Sequence, residues 1–535
     1  MKKLLVIILS IHFLGMLSGQ TNTPLILLND SIVGTSHDTG FPVKVTRYDV
    51  SGKINKWYWD GVSENLLLEL SGPDRKGPAL LNEKILTMID LETKEVKWTR
   101  TMNYKTSELK QQGNYYFLTD KKKNQCIDPE TGNTLWESKC DFYFIDPFLN
   151  IGVGYPVQST SNKLSAIDLS NGRLLWEKKI DRSYGWDDAY MLNDSILLIA
   201  VNGIHAIDLR NGREWNYKAK TAKKEIGKMI AINFLGILVG AMTDEYFFQS
   251  QADVVSDMTS NMLIDPDDNI LHASRDKISR IDTWGNIIWS KPLPEKLTSS
   301  SSLFLIDSVV YLINRGYAQY NGEFSMIGDP YFAAFNLEDG NRFYLKKIPE
   351  KKEFIRHYQV IGDMLFILFE DKIDTYRLSD GSFIKETKLA LQNKEELDVF
   401  MQPEGIYLKQ NDTLFTDLAV DFGDYNLIKT TEGRFFVMND SLETFITLDK
   451  EELFYKIIDN PHYTLISQNE SDYVVLDTSD HAQATFTGSA NMFLRNNKIC
   501  FFNDHTLLEI DLDRLHQAPS IWHSIFRQVY RYLIG

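Results

Sequence analysis

Cysteine is nearly absent from this 535-residue chain, which has only Cys126, Cys140 and Cys500. Three thiols make no disulfide framework, so the fold must rest on a hydrophobic core. Cys126 and Cys140 would fall some five residues out of register in one hairpin. That is beyond the roughly 7 Å between Cα atoms that a bridge can span. The ten histidines form no HxH, HExxH or HxxxH pair, so zinc has no local signal. No GxSxG elbow and no Walker loop occurs. Basic residues are outnumbered 57 to 73, for a formal charge of -16. That balance argues against nucleic acid as a partner, because phosphate binding needs clustered Lys and Arg. Lys121 to Lys123 and Lys220 to Lys224 read as solvated turns. The apolar stretches Leu4–Leu17 and Met229–Met242 are 14 residues each, short of the roughly 20 that a membrane helix needs.

What is present in quantity is one short pattern. Ala166-Ile167-Asp168-Leu169-Ser170-Asn171-Gly172-Arg173-Leu174-Leu175-Trp176 reads strand, tight turn, strand. Asp168 and Asn171 can bond their own turn backbone, and Gly172 supplies a positive φ. Trp176 then offers a large flat side chain to a neighbouring sheet. Cys126 to Trp136 repeats the pattern with Asp128 and Gly132. Met88 to Trp98 repeats it around Asp90, with Lys94 in place of glycine. Asp208, Gly212 and Trp215 form a copy shortened by one residue, and Asp282, Gly285 and Trp289 form another. Asn336, Gly340 and Tyr344 keep the spacing with exchanged residue types, and Thr375 to Lys385 keeps little beyond Gly381. From Asp90 through Asp128 and Asp168 to Asp208 the steps are 38, 40 and 40 residues, and Asp282 follows 74 later. A period near forty, with one strand-turn-strand signature per repeat, predicts a β-propeller.

These copies resemble the tryptophan-docking repeats of quinoprotein-type propellers, the pyrroloquinoline-quinone-like repeat family. The match covers residues 88 to 290 and fades by 385. The resemblance implies an all-β propeller of eight or more four-stranded blades. The family holds quinone-dependent alcohol dehydrogenases and a non-catalytic outer-membrane assembly lipoprotein, so the fold alone does not choose an activity.

In chain order, Lys2 and Lys3, the apolar run to Leu17, then Ser18 and Gly19 have the layout of a signal peptide over 1–19. Export to the periplasm or the exterior is expected, with an uncleaved anchor as the other reading. No Cys follows the run, so no lipid anchor is expected. Residues 20–39 form an N-terminal segment and 40–515 the propeller. Polar turns before apolar runs continue the rhythm past the last Trp: Asn193-Asp194 before Ile196, Asp307 before Val309, Gly362-Asp363 before Met364, Asn496-Asn497 before Ile499. Runs apolar on both faces are strands buried on both faces. Counting turns gives ten or eleven units, which leaves one large ring, incomplete blades or two rings in tandem. The lack of a Pro- or Gly-rich linker favours one ring. Residues 217–260 break the rhythm as an insertion. From 516 to 535 an amphipathic helix is expected, with Ile521, Ile525, Val529 and Leu533 on one face and Arg527 and Arg531 on another. It caps the domain or, in the alternative, touches a membrane.

Chemistry has few candidates. Gly152-Val153-Gly154 lacks the helix and third glycine of a dinucleotide site. Asp265-Pro266-Asp267-Asp268-Asn269 places oxygen ligands at alternate positions as calcium loops do. It lacks the glycine at the sixth place, has Asp276 at the twelfth, and sits where other repeats have a turn. The dehydrogenases resembled here carry adjacent cysteines at their cofactor, whereas these three are isolated. No position matches the family's calcium ligands or catalytic Asp, so neither pyrroloquinoline quinone, calcium nor any other cofactor is expected. Asp90, Trp98, Asp128, Gly132, Trp136, Asp168, Gly172, Trp176, Asp208, Gly212, Trp215, Asp282, Gly285, Trp289 and Gly340 are read as blade-building residues. The expectation carried forward is a monomeric, non-catalytic exported propeller that binds a cell-envelope protein or surface polymer through its loops. The alternative is a quinone-dependent oxidoreductase, or another enzyme with its site on the propeller axis.

Overall fold

The computed structural model describes residues 23–515 except 37–41, 62, 72–82, 104–106, 121–122, 158, 160, 181–187, 201–202, 220–221, 224–254, 257–261, 321–322, 327, 349–352, 424–425, 440–443, 460 and 470. The expected signal peptide and C-terminal helix therefore lie outside the described residues. Strands dominate what is described, and the one α-helix there is the short Leu418–Phe422. The strands meander antiparallel in groups of four, which is the blade of a β-propeller. The chain divides into two compact units, 1–137 with 403–423 and 450–535, and 138–402 with 424–449.

The second unit holds six blades, spanning 140–179, 188–217, 262–292, 301–347, 357–388 and 397–448. In the first of these, Cys140–Asp146, Ile151–Pro156, Lys163–Asp168 and Arg173–Lys179 pair in sequence order. Middle strands are buried on both faces, as their unbroken apolar runs require: Leu197 to Ile199 and Leu365 to Leu368 are all fully buried. Alternate residues serve opposite neighbours. Leu271 and Ala273 pack toward the 301–347 blade, while Ile270 packs toward 188–217. Each such aliphatic side chain contributes roughly 1.5–3 kcal/mol of burial. Gly154 sits where a Cβ would lie 1.8 Å from the Asp141 carbonyl, opposite a bulge between Phe142 and Phe144. Close strand approach therefore explains that glycine.

The first unit holds four blades. Two are continuous, from Lys53–Tyr58 to Glu95–Asn103 and from Ser107–Gln112 to Thr134–Ser138. A third runs from Leu453–Asp459 to Ala482–Thr487, and its first strand also pairs with Ile406–Lys409, which the chain reaches in an excursion between two strands of the 397–448 blade. The fourth is composite. Met492–Arg495, Lys498–Asn503 and Thr506–Asp511 supply three strands, and Pro42–Asp49 completes it, with Thr46 opposite Glu509.

Residues 20–39, set apart from the β-structure in the sequence reading, are largely built into it. Ile26–Ser36 pairs with Pro42–Asp49 along most of its length, and Gly34 to Ser36 pair with Ala484 to Phe486. Thr23 and Pro24 pair with Val96 and Glu95. The segment straps the outer strands of three blades because those edges carry backbone groups that need partners. Gly34 alone fits its place, since a Cβ there would lie 1.8 Å from the Thr485 carbonyl oxygen.

Candidate functional site

Within each unit the repeat residues join successive blades. In the turns, the Asp128 and Asp208 carboxylates accept the amides of Glu130 and Arg210 at 2.9 Å. Ser170, through its hydroxyl and amide, holds the Asp168 carboxyl below the usual range. The turn closes when Gly132, Gly172 and Gly212 donate to the carbonyls of Asp128, Asp168 and Asp208 at 2.7–2.8 Å. Four indoles then donate to the carbonyl just after the next blade's turn Asp or Asn. Trp98 reaches Pro129 at 2.8 Å, Trp176 reaches Leu209 at 2.7 Å, Trp215 reaches Thr283 at 2.9 Å and Trp289 reaches Leu337 at 2.8 Å. Tyr344 does the same with its hydroxyl toward Leu378. The ring lies flat on the turn glycine: at Gly212, with φ +70°, a Cβ would be 2.8 Å from Trp176 Cγ. Gly285 under Trp215 and Gly340 under Trp289 repeat this contact. Trp136 is 8% exposed and lies 6.0 Å from Phe117.

At Asp90 the glycine is Lys94, which adopts φ +59°. Its half-buried ammonium meets Glu509 and the Leu91 carbonyl, 5.5 Å from the Tyr48 ring. The composite blade before it brings no tryptophan to this slot, so a long side chain can occupy it. Register also exposes docking positions that the sequence reading missed. The docking aromatic stands opposite the residue two before the turn Asp, as Ala166 faces Trp176 and Ala206 faces Trp215. That rule places Lys385, the end of the Thr375 to Lys385 copy, opposite Thr375, and adds Ile446, opposite Val437, and Ala484, opposite Val475.

The Asp265 loop is also spoken for. The Asp265 carboxylate accepts the amides of Asp267 and Asn269 at 2.9 Å and the Arg280 guanidinium at 2.6 Å, and Asp267 takes a second Arg280 nitrogen at 2.8 Å. These oxygens anchor a turn to the third strand. Among the described residues no cluster of three or more His, Cys, Asp or Glu is placed to hold a metal ion. The three cysteines are buried and in no disulfide, and burial pushes the Cys126 and Cys500 thiols up to about 12.

The departure from blade geometry lies at the other end of the strands. In a four-stranded meander the first and third turns share one end; the second turn and the exit to the next blade share the opposite one. Two elaborations of second-unit blades leave from that opposite end, whereas the excursion to Ile406–Lys409 leaves from the first turn of the 397–448 blade. One is the 218–261 insertion at a blade exit. The other is the hairpin Tyr317–Tyr320 with Glu323–Met326, set in the second turn of the 301–347 blade. They meet: Ala222–Lys223 pairs with Val255–Ser256, which pairs with Tyr317–Tyr320, giving an accessory four-stranded sheet.

Its hairpin is rooted in a closed polar knot. Fully buried Asn314 accepts the Ser299 amide at 2.6 Å and donates to the carbonyls of Leu297 and Asp329 at 3.0 and 2.9 Å. The Gly316 amide donates to the Ser299 hydroxyl at 3.0 Å. These bonds fix the backbone at the base of the hairpin. The sequence signal for the hairpin was Asn321-Gly322 between Tyr320 and Glu323.

No protein-family model and no curated protein matches the chain. Among solved structures it is similar to BamB from Moraxella catarrhalis, at 12% identity over 68% of this chain and 95% of that one, with a TM-score of 0.31. It is also similar to the C-terminal WD40 domain of Sif2, at 11% identity over 78% and 98%, with a TM-score of 0.31, and to the dihydro-heme d1 dehydrogenase NirN in complex with DHE, at 9% identity over 75% and 78%, with a TM-score of 0.30. At such scores the identification rests on the strand pairing itself: the chain has a multi-blade β-propeller fold.

Proposed function

We propose that this chain is an exported propeller of the pyrroloquinoline-quinone-like repeat kind that works without catalysis, binding a protein or surface polymer of the cell envelope. The observation that carries this reading is the accessory sheet, built by two separate excursions from one end of the blades and rooted on the Asn314 knot. The repeat's Asp, Gly and Trp residues are meanwhile engaged in joining blades. Isolated, buried cysteines fit this reading better than the quinone enzymes, whose cofactor lies against an adjacent pair.

The test compares wild type with a chain in which 218–261 is replaced by a short Gly-Ser link. Immobilised wild type should retain an envelope component that the deleted form releases, with the far-ultraviolet dichroism and melting curve unchanged. Stoichiometric quinone in the purified protein, with dye-linked oxidation of an alcohol or sugar, would give the enzyme reading instead.

A further inference from the structure

A buried imidazole sits at the seam between the 188–217 and 262–292 blades. His272 is 1% exposed, and neither ring nitrogen has a hydrogen-bond partner among the described residues. In the ladder it stands opposite Met262, the first residue of the strand that follows the insertion. Its ring meets that of Tyr217, the last strand residue before the insertion, edge-on at 5.8 Å. One side chain thus packs against both roots of 218–261.

Among the described residues no carboxylate faces the ring, and the nearby hydroxyls are bonded to one another. Tyr217 and Ser279 share a 2.7 Å hydrogen bond, and Ser279, which faces His272 on the third strand, donates to Ser290 at 2.8 Å. Leu198, Ile204, Ala206, Ile270 and Ile281 make up the apolar remainder. The titratable groups facing the ring are Tyr217 from the 188–217 blade and Lys277 from its own. The Lys277 ammonium lies 4.6 Å from the Tyr217 ring and donates to the Lys218 carbonyl at 3.3 Å. The first strand brings Met262 and the fourth brings Ser290, neither of them charged.

We propose that His272 makes this seam acid-sensitive, so that protonating its ring parts the two blades locally at the roots of 218–261 while the other blades stay folded. An imidazolium closed in beside Lys277 with no carboxylate is costly, and water relieves it once the seam opens. Burial, and after it Lys277, holds the imidazole down at about 4 against an ordinary 6.5. A base depressed in the closed form binds protons more tightly in the open one, so opening grows as the pH falls below 6.5 and levels off near 4. Relative to pH 7, the population of the open form should rise about 8-fold by roughly pH 5.5 and about 60-fold by roughly pH 4.5.

Hydrogen exchange of the full chain tests this at those acidities and at neutral pH, after correction for the intrinsic rate. Amides of Glu214–Tyr217 and Met262–Ile264 should lose protection by those factors, while Val310 to Ile313 keep theirs. In His272→Phe the protection of both segments should not depend on pH. Should that variant fail to fold, His272→Gln, which cannot take a proton, serves instead. Unchanged protection in wild type, or an equal acid loss in a folded variant, overturns the proposal.

Discussion

Replacing Trp176 by alanine should weaken the second unit far more than removing an exposed indole, and the cost should depend on Gly212. Trp176 is 8% exposed, its indole donates to Leu209 at 2.7 Å, and its ring covers Gly212. A cavity of that size costs about 3–5 kcal/mol, and the orphaned Leu209 carbonyl about 1 more. Gly212→Ala has two costs of its own. Its φ of +70° is unfavourable for a side chain, at about 1–2 kcal/mol. Its Cβ also lies 2.8 Å from Trp176 Cγ, a clash worth about 1–3 kcal/mol. In a Trp176→Ala background the clash vanishes and the backbone cost remains, so the double variant should be about 1–3 kcal/mol more stable than additivity allows. Trp284, 77% exposed, should change stability by less than about 0.5 kcal/mol when truncated. Urea unfolding followed by circular dichroism measures all four. Additivity within about 0.5 kcal/mol, or equal midpoint shifts for Trp176→Ala and Trp284→Ala, would refute the docking argument.

Two further outcomes follow from packing. Cys126, Cys140 and Cys500 are buried, and desolvation raises all three thiols. Iodoacetamide near pH 8 should therefore add nothing to the native protein by mass spectrometry, and three groups after guanidinium unfolding; rapid native labelling of any one would contradict its burial. Gly34→Val places a Cβ on the Thr485 carbonyl, a clash no rotamer relieves. Residues 26–36 should then become the first site of limited proteolysis, and a cleavage pattern like that of wild type would show that the strap does not hold that edge.

The fold was legible because the repeat encodes its own joints. Asp168, Gly172 and Trp176 form a turn signal and a docking ring within eleven residues, and local chemistry of that kind survives without knowledge of distant contacts. Ile446 and Ala484 stand at the docking register with unlike side chains, so register, not residue type, identifies them. The strap over 23–36 was illegible for another reason: its partners lie up to about 450 residues away, and nothing in Ile26 or Gly34 names Ala484. The accessory sheet depended on pairing Val255 with Tyr320, again remote in sequence. His272 stands in an apolar run, where a buried histidine gives no sign of whether its nitrogens are satisfied.

The composite blade sets a waiting time on synthesis. Pro42–Asp49 is among the first strands to be made, yet the strands that complete its sheet begin at Met492, 443 residues after Asp49. At about 5–20 residues per second that is roughly 20–90 s during which Ile26–Ser36 is its only partner. Its edge and that of Ile26–Ser36 are open to pairing with other chains throughout, and no amount of later stability shortens the exposure. The earliest part of this chain is the last to be secured, so it depends most on being shielded while the rest arrives.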